Sequence, residues 1–201
     1  MAKIHPGATL VPHFRDFLPV WVARQPWYRG TGRPSLSPVG FFRLEDPDGE
    51  VGMETHLVRD GDTVYQIPMT YRGSPLAQHA VGASDPLIAT AEHSVLGTRW
   101  IYDGPGDPGW VAEVLRLVGN GGVTEPGGRR GVGPAGARGH LLVSRAPAFD
   151  AVVIDLLRVL TPGRPGVLPD AVGLMTGTWY PDGPDAPAVE GCLAVIREKR
   201  G

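Results

Sequence analysis

Large apolar residues first recur at helical spacing. Phe14, Phe17, Leu18 and Trp21 stand at i, i+3, i+4 and i+7, which places four bulky groups on one helical face and predicts a short helix over 11–25. Pro19 lies inside that span and has no N–H to donate, so the regular helix is expected to start there, with proline at its first position. The pattern then changes period. Apolar runs at 36–45, 50–59 and 62–73 are separated by Pro47-Asp48-Gly49 and Asp60-Gly61-Asp62, which are tight-turn sequences. In the third run Tyr65, Ile67, Met69 and Tyr71 alternate with smaller or polar residues, the period of a strand with one buried face. An antiparallel meander is expected.

Residues 87–94 read as a further strand, and 97–104 as a strand or bend leading into a helix. That helix has an N-cap oxygen and a first-turn proline in Asp107-Pro108, an apolar stripe in Trp110, Val111, Val114 and Val118, and Gly119 where a C-terminal glycine is expected. From 121 to 139 the chain is glycine-rich, contains Pro126 and Pro134, and has few apolar residues to offset the entropy of ordering, so it reads as a linker or loop. Beyond it, 140–144, 171–180 and 190–198 read as strands, the last two joined by a Pro181-Asp182-Gly183 turn, while 151–160 fits a strand or a helix equally. The expected fold class is α+β. A curved antiparallel sheet packs on an N-terminal helix and a second helix within 1–120, and 140–201 adds antiparallel strands as an extension of that sheet or a small subdomain.

Composition narrows the function. A 42% hydrophobic content over 201 residues is enough for a genuine core. No apolar run reaches the roughly 18 to 20 residues that span a bilayer, and the opening residues lack a signal peptide's apolar stretch, so the expected location is the cytoplasm, with no membrane partner. A net charge of −2 gives no electrostatic reason to expect nucleic acid. Cys192 is the only cysteine, which rules out an intrachain disulfide and points to a buried thiol. The cations are 17 arginines and two lysines, Lys3 and Lys199, near the chain ends.

The segment FLPVWVARQPWYRG resembles the opening of actinobacterial maltokinases, where a short helix runs into a WLxxQRWYxG-type motif. Trp21, Arg24, Gln25, Trp27, Tyr28 and Gly30 fall on that pattern, and Pro26 stands where those kinases commonly have arginine. The later strand, the Tyr102-Asp103 segment and the helix after it follow the same family order, so the resemblance spans about residues 10–120. It implies a cap domain, somewhat cystatin-like, that sits beside a kinase-like nucleotide lobe.

Phosphoryl transfer of that kind requires a strand lysine on the ATP phosphates, a catalytic aspartate, and an asparagine with an acidic residue for magnesium. Neither lysine lies in a flanked strand, no H-x-D-x-x-x-x-N occurs, and Asn120 is the only asparagine. Residues 151–163 resemble the nucleotide-lobe strand that carries the family's lysine, but contain no lysine. No cofactor is therefore expected. Gly131-Val132-Gly133-Pro134-Ala135-Gly136 matches G-x-G-x-x-G in form only, because it neither follows a strand nor opens a helix in this pattern.

One polar constellation could carry chemistry. Glu54 and His56 alternate in a strand and share a face, and His93 or its neighbour Glu92 could approach them from another strand. Such groups suit a divalent ion or acid–base work, although their spacing is not that of a compact metal site. A hydrogen-bonded polar face is the simpler explanation. Trp21, Trp27, Tyr28 and Trp100 suit sugar stacking or core packing, and Arg24 and Arg29 a solvated surface. The expected function is a non-catalytic cap-like protein binding a partner or small ligand, with a sugar-metabolising enzyme as the implied partner. The alternatives are a small enzyme or receptor using the polar sheet face, and a homodimer.

Overall fold

A computed structural model describes residues 5, 7–77, 86–129, 132–144, 146–163, 166, 168 and 170–199. After a two-residue strand β1 (Leu10–Val11), helix α1 (Phe14–Val22) begins five residues before Pro19 and carries the proline inside it. The start expected at Pro19 is thus corrected. His13 caps the helix reciprocally: its Nδ1 accepts from Arg15 N–H at 3.3 Å, and Asp16 Oδ2 accepts from His13 N–H at 3.0 Å. This box fixes the first turn upstream of the proline. The ring is buried together with Phe17, Leu18 and Val22.

The meander follows as β2 (Ser37–Leu44), β3 (Gly52–Asp60) and β4 (Thr63–Arg72), paired antiparallel in register Phe42↔Thr55↔Pro68. Strands β5 (Leu87–His93) and β6 (Gly97–Asp103) form a hairpin, and β6 pairs with the second half of β4. Helix α2 (Pro108–Gly119) begins at Asp107, whose side chain accepts from Gly109 N–H at 2.8 Å. Gly119 is its last helical residue rather than the terminating glycine. That role falls to Gly121, at φ +58, two residues later.

The glycine-rich stretch holds two strands, β7 (Pro126–Arg129) and β8 (Val132–Leu141), where a linker or loop was expected. Gly139 shows why. A Cβ there would lie 2.6 Å from Val118 Cα, so the α2 backbone rests directly on β8 and only glycine permits the approach. The small residues Ala135 and Ala137 are buried on the same strand. Low hydrophobicity here reflects close packing of backbone. Of the phosphate-loop-like sextet, Gly131 lies outside the described residues, as does Lys3.

The chain continues through β9 (Val152–Leu156), β10 (Val159–Leu160), β11 (Ala171–Trp179) and β12 (Val189–Glu198). The 151–160 segment is therefore extended, not helical. The first sheet is a curled half-barrel, and β8 carries the pairing from it into the second, where β11, β12 and β9 follow. Strand β10 returns to pair with the first half of β4, Val159↔Tyr65. The expected α+β class with a curved antiparallel sheet and two helices is what the structure has.

Strands β3 and β4 are buried on both faces. One face, with Met53, Leu57 and Val64, joins Trp110, Val114 and Val118 of α2 and Trp179 and Leu193 of the second sheet. The other, with Val58, Tyr65, Ile67 and Met69, joins Phe17, Leu18 and Val22 of α1. The near-continuous apolar run of β4 follows from this double burial.

Candidate functional site

Glu54 and His56 lie on the α1 side of β3, as their alternation requires. His56 Nε2 is 3.2 Å from Glu54 Oε2, and its ring meets Phe14 edge-on at 4.9 Å. Both side chains are buried. From the paired position on β2, Arg43 donates Nε to Glu54 Oε1 at 2.9 Å and adds a second bond through Nη2. Burial on its own would raise the Glu54 carboxyl. The hydrogen bond and charge of His56, with those of Arg43, outweigh it and hold the group at about 2.

His93 does not join this pair. In the sheet β4 and β6 separate its strand from β3, and its Nδ1 accepts from Val95 and Leu96 N–H, each at 3.2 Å, in the β5–β6 turn. His5 lies against its ring at 5.8 Å. Burial, then the charges of His5 and Arg99, depress its pKa. Glu92 accepts from Thr98 Oγ1 at 2.5 Å across the same hairpin.

The aromatic residues form a second cluster. Trp21 and Trp27 lie 5.7 Å apart, Trp27 lies 5.9 Å and Tyr28 5.7 Å from Tyr65. Tyr28 donates to Asp60 Oδ2 at 2.8 Å, and burial together with this bond pushes its phenol up to about 12. Gln25 Nε2 donates to the Trp21 carbonyl at 3.1 Å, which ties the loop after α1 to the helix, and Arg29 N–H donates to the Tyr65 hydroxyl at 3.2 Å, which ties it to the sheet. A Cβ at Gly30 would sit 2.5 Å from Tyr28 Cζ, so a side chain there would push the Tyr28 ring out of place. Arg24 projects from the surface.

Arg158, between β9 and β10, reaches this cluster from the far end of the sequence. Its guanidinium lies 5.0 Å from the Trp27 centroid and 6.0 Å from that of Trp21, and is ion-paired with Asp103. Burial raises the Asp103 pKa despite the Arg158 charge. Tyr102, next to it, accepts from Leu76 N–H at 3.0 Å.

Residues 21–107 match the family model of the maltokinase N-terminal cap domain. The matched segment is a little under half of the chain and narrower than the span expected from the motifs. It contains Trp21, Arg24, Gln25, Trp27, Tyr28, Gly30, Tyr102 and Asp103. No curated protein matches the chain.

The matched segment ends at a third polar cluster. Asp107 is fully buried and accepts from Thr70 Oγ1 at 2.6 Å, from Arg72 Nε and Nη2 at 2.6 Å each, and from Gly109 N–H. Burial opposes ionisation, but the Arg72, Thr70 and Gly109 bonds hold its pKa below the usual range. The capping role was legible in the sequence. Thr70 and Arg72 were not, because only the β4 register brings them to the helix start. Arg43 and Arg158 were missed for the same reason. Among the described residues no helix is long and apolar enough to cross a membrane.

Proposed function

We propose that this chain is a cap-type accessory module that docks on a protein partner, and that it does not transfer phosphate. One observation carries this: the acidic side chains of the cap-domain segment best placed for chemistry are committed to holding the fold. Glu54 is occupied by Arg43 and His56, Asp103 by Arg158, and Asp107 by Thr70, Arg72 and the start of α2. A magnesium-binding carboxylate or a general base needs an exposed lone pair facing substrate. At the strand resembling the lysine-bearing one, the cation is Arg158, stacked on Trp27.

The family that matches 21–107 is named for the cap of a maltokinase, and we place the partner by extension among cytoplasmic enzymes of sugar or α-glucan metabolism. The test is direct. Purified protein incubated with ATP, magnesium and either maltose or glucosamine is expected to yield no sugar phosphate above a no-protein control. Catalytic accumulation of either product would overturn the proposal.

A further inference from the structure

The cations of this protein are unevenly paired. Arg43, Arg59, Arg72, Arg116, Arg158 and Arg197 each face a carboxylate. Arg15, Arg24, Arg29 and Arg33 are exposed, and none has an ion pair among the described residues. Arg15 lies on α1 and the other three follow it in the chain, in a stretch, residues 5–37, whose single carboxylate is Asp16. Asp16 is taken up by the His13 cap, and the nearby Asp60 accepts from Tyr28 and from Ser35 N–H at 3.0 Å. An overall charge of −2 thus conceals a local cationic surface.

An open groove runs through that surface. It has a volume of about 290 Å³ and lies between α1 and residues 33–38. Leu18 and Val58 form its floor, Phe14, Pro19, Leu36 and Pro38 its sides, and Arg15 and Arg33 stand at its rim. Ser35 supplies its one uncharged polar side chain. A sugar would leave most of its hydroxyls without partners against such a floor. The volume is at the lower end of ligand pockets, about 300 Å³, and suits one or two apolar side chains.

Resting on the accessory-module reading, we infer that this groove docks an acidic segment of a protein partner. One leucine- or phenylalanine-type side chain enters between α1 and residues 33–38, and flanking carboxylates pair with Arg15 and Arg33. Guanidinium groups match carboxylates in two-point geometry, and an apolar anchor ringed by charge is a common arrangement for peptide docking. The apolar floor supplies affinity. Arg15 and Arg33, neither of which faces a carboxylate side chain among the described residues, supply the sign selectivity that excludes basic segments.

The probe is a displayed library of random dodecapeptides, selected on the intact chain and on Arg15→Glu/Arg33→Glu. Thermal melts and far-UV circular dichroism of both proteins establish that the variant is folded. The wild-type chain is expected to enrich peptides with several Asp or Glu around a Leu, Phe or Trp. A synthetic copy of the leading peptide should bind the double variant at least tenfold more weakly and lose affinity as salt is raised. Absence of enrichment, enrichment of neutral or basic peptides, or equal binding by the variant would overturn the inference. So would a solution dimer that the double variant dissolves, because it would assign the groove to a second copy. These results are distinct from the sugar-phosphorylation assay: a failed selection with no phosphorylation removes the groove and leaves the accessory-module proposal intact.

Discussion

Arg158 lies over the Trp27 ring at 5.0 Å and pairs with Asp103, so the last third of the chain locks the aromatic loop and the end of β6 together. The side chains of Arg158 and Asp103 are 13% and 17% exposed, which places the pair between a surface bridge and a buried one. Arg158→Ala is expected to cost about 2 to 4 kcal/mol, through the stranded Asp103 carboxylate and the lost contact with both indoles. Urea unfolding followed by tryptophan fluorescence measures this. Asp103→Asn/Arg158→Met should recover part of the loss, because neither partner is then left charged.

Glu54 gives the acid limb of stability a specific source. Its carboxyl sits at about 2 in the fold against 4.5 for the free group, so the unfolded chain binds the proton more tightly. The contribution is therefore complete above about pH 4.5 and is lost as pH falls toward 2, with a ceiling of about 3 kcal/mol. Glu54→Gln should flatten the fall in stability between those pH values while lowering stability at pH 7. Denaturant midpoints recorded from pH 2.5 to 7 test it. An acid limb unchanged by the substitution would show that other carboxylates govern it.

Gln66 ties β4 to β12 and to the link between β9 and β10 from inside the core. Its side chain is fully buried, and Nε2 donates to the carbonyls of Leu157 at 2.8 Å and Leu193 at 2.6 Å. Gln66→Leu removes both donations, at an expected cost of about 2 to 3 kcal/mol. The Gln66 and Leu157 amides, which donate to Arg158 O and Leu193 O, should exchange with solvent faster in the variant. Hydrogen-exchange rates at those two positions are the readout.

Gly139 tests the contact between α2 and β8. Gly139→Ala places a methyl group against the Val118 backbone, where no rotamer change relieves it. The expected penalty is at least about 3 kcal/mol, since helix and strand must separate. Gly136→Ala, where a Cβ would stand 3.7 Å from Thr124 Oγ1, is the control and should be tolerated. Thermal denaturation of the pair distinguishes a local steric effect from a general intolerance of the segment.

The same glycines show where the sequence was legible and where it was not. Periodicity located α1, the three-strand meander and α2 because each offers one apolar face of regular period. It failed at 121–139, since a strand that meets a helix backbone needs small residues and so has little hydrophobicity to detect. Pro19 misled through its missing donor, while the His13–Asp16 cap upstream decided the helix start. At the candidate site, alternation put Glu54 and His56 on one face. The neutralising Arg43 depends on cross-strand register, and Arg158 on a contact 131 positions from Trp27, neither of which a local pattern encodes.

The short pairing of β10 with β4 sets a boundary on how this protein can be divided. A recombinant piece trimmed to the family-matched span would bare the backbone of Val64 and Tyr65 along one margin and the outer edge of β2 along the other. Such raw margins template aggregation. A piece meant to keep these edges covered must therefore carry the return strand β10 and strand β7 with it.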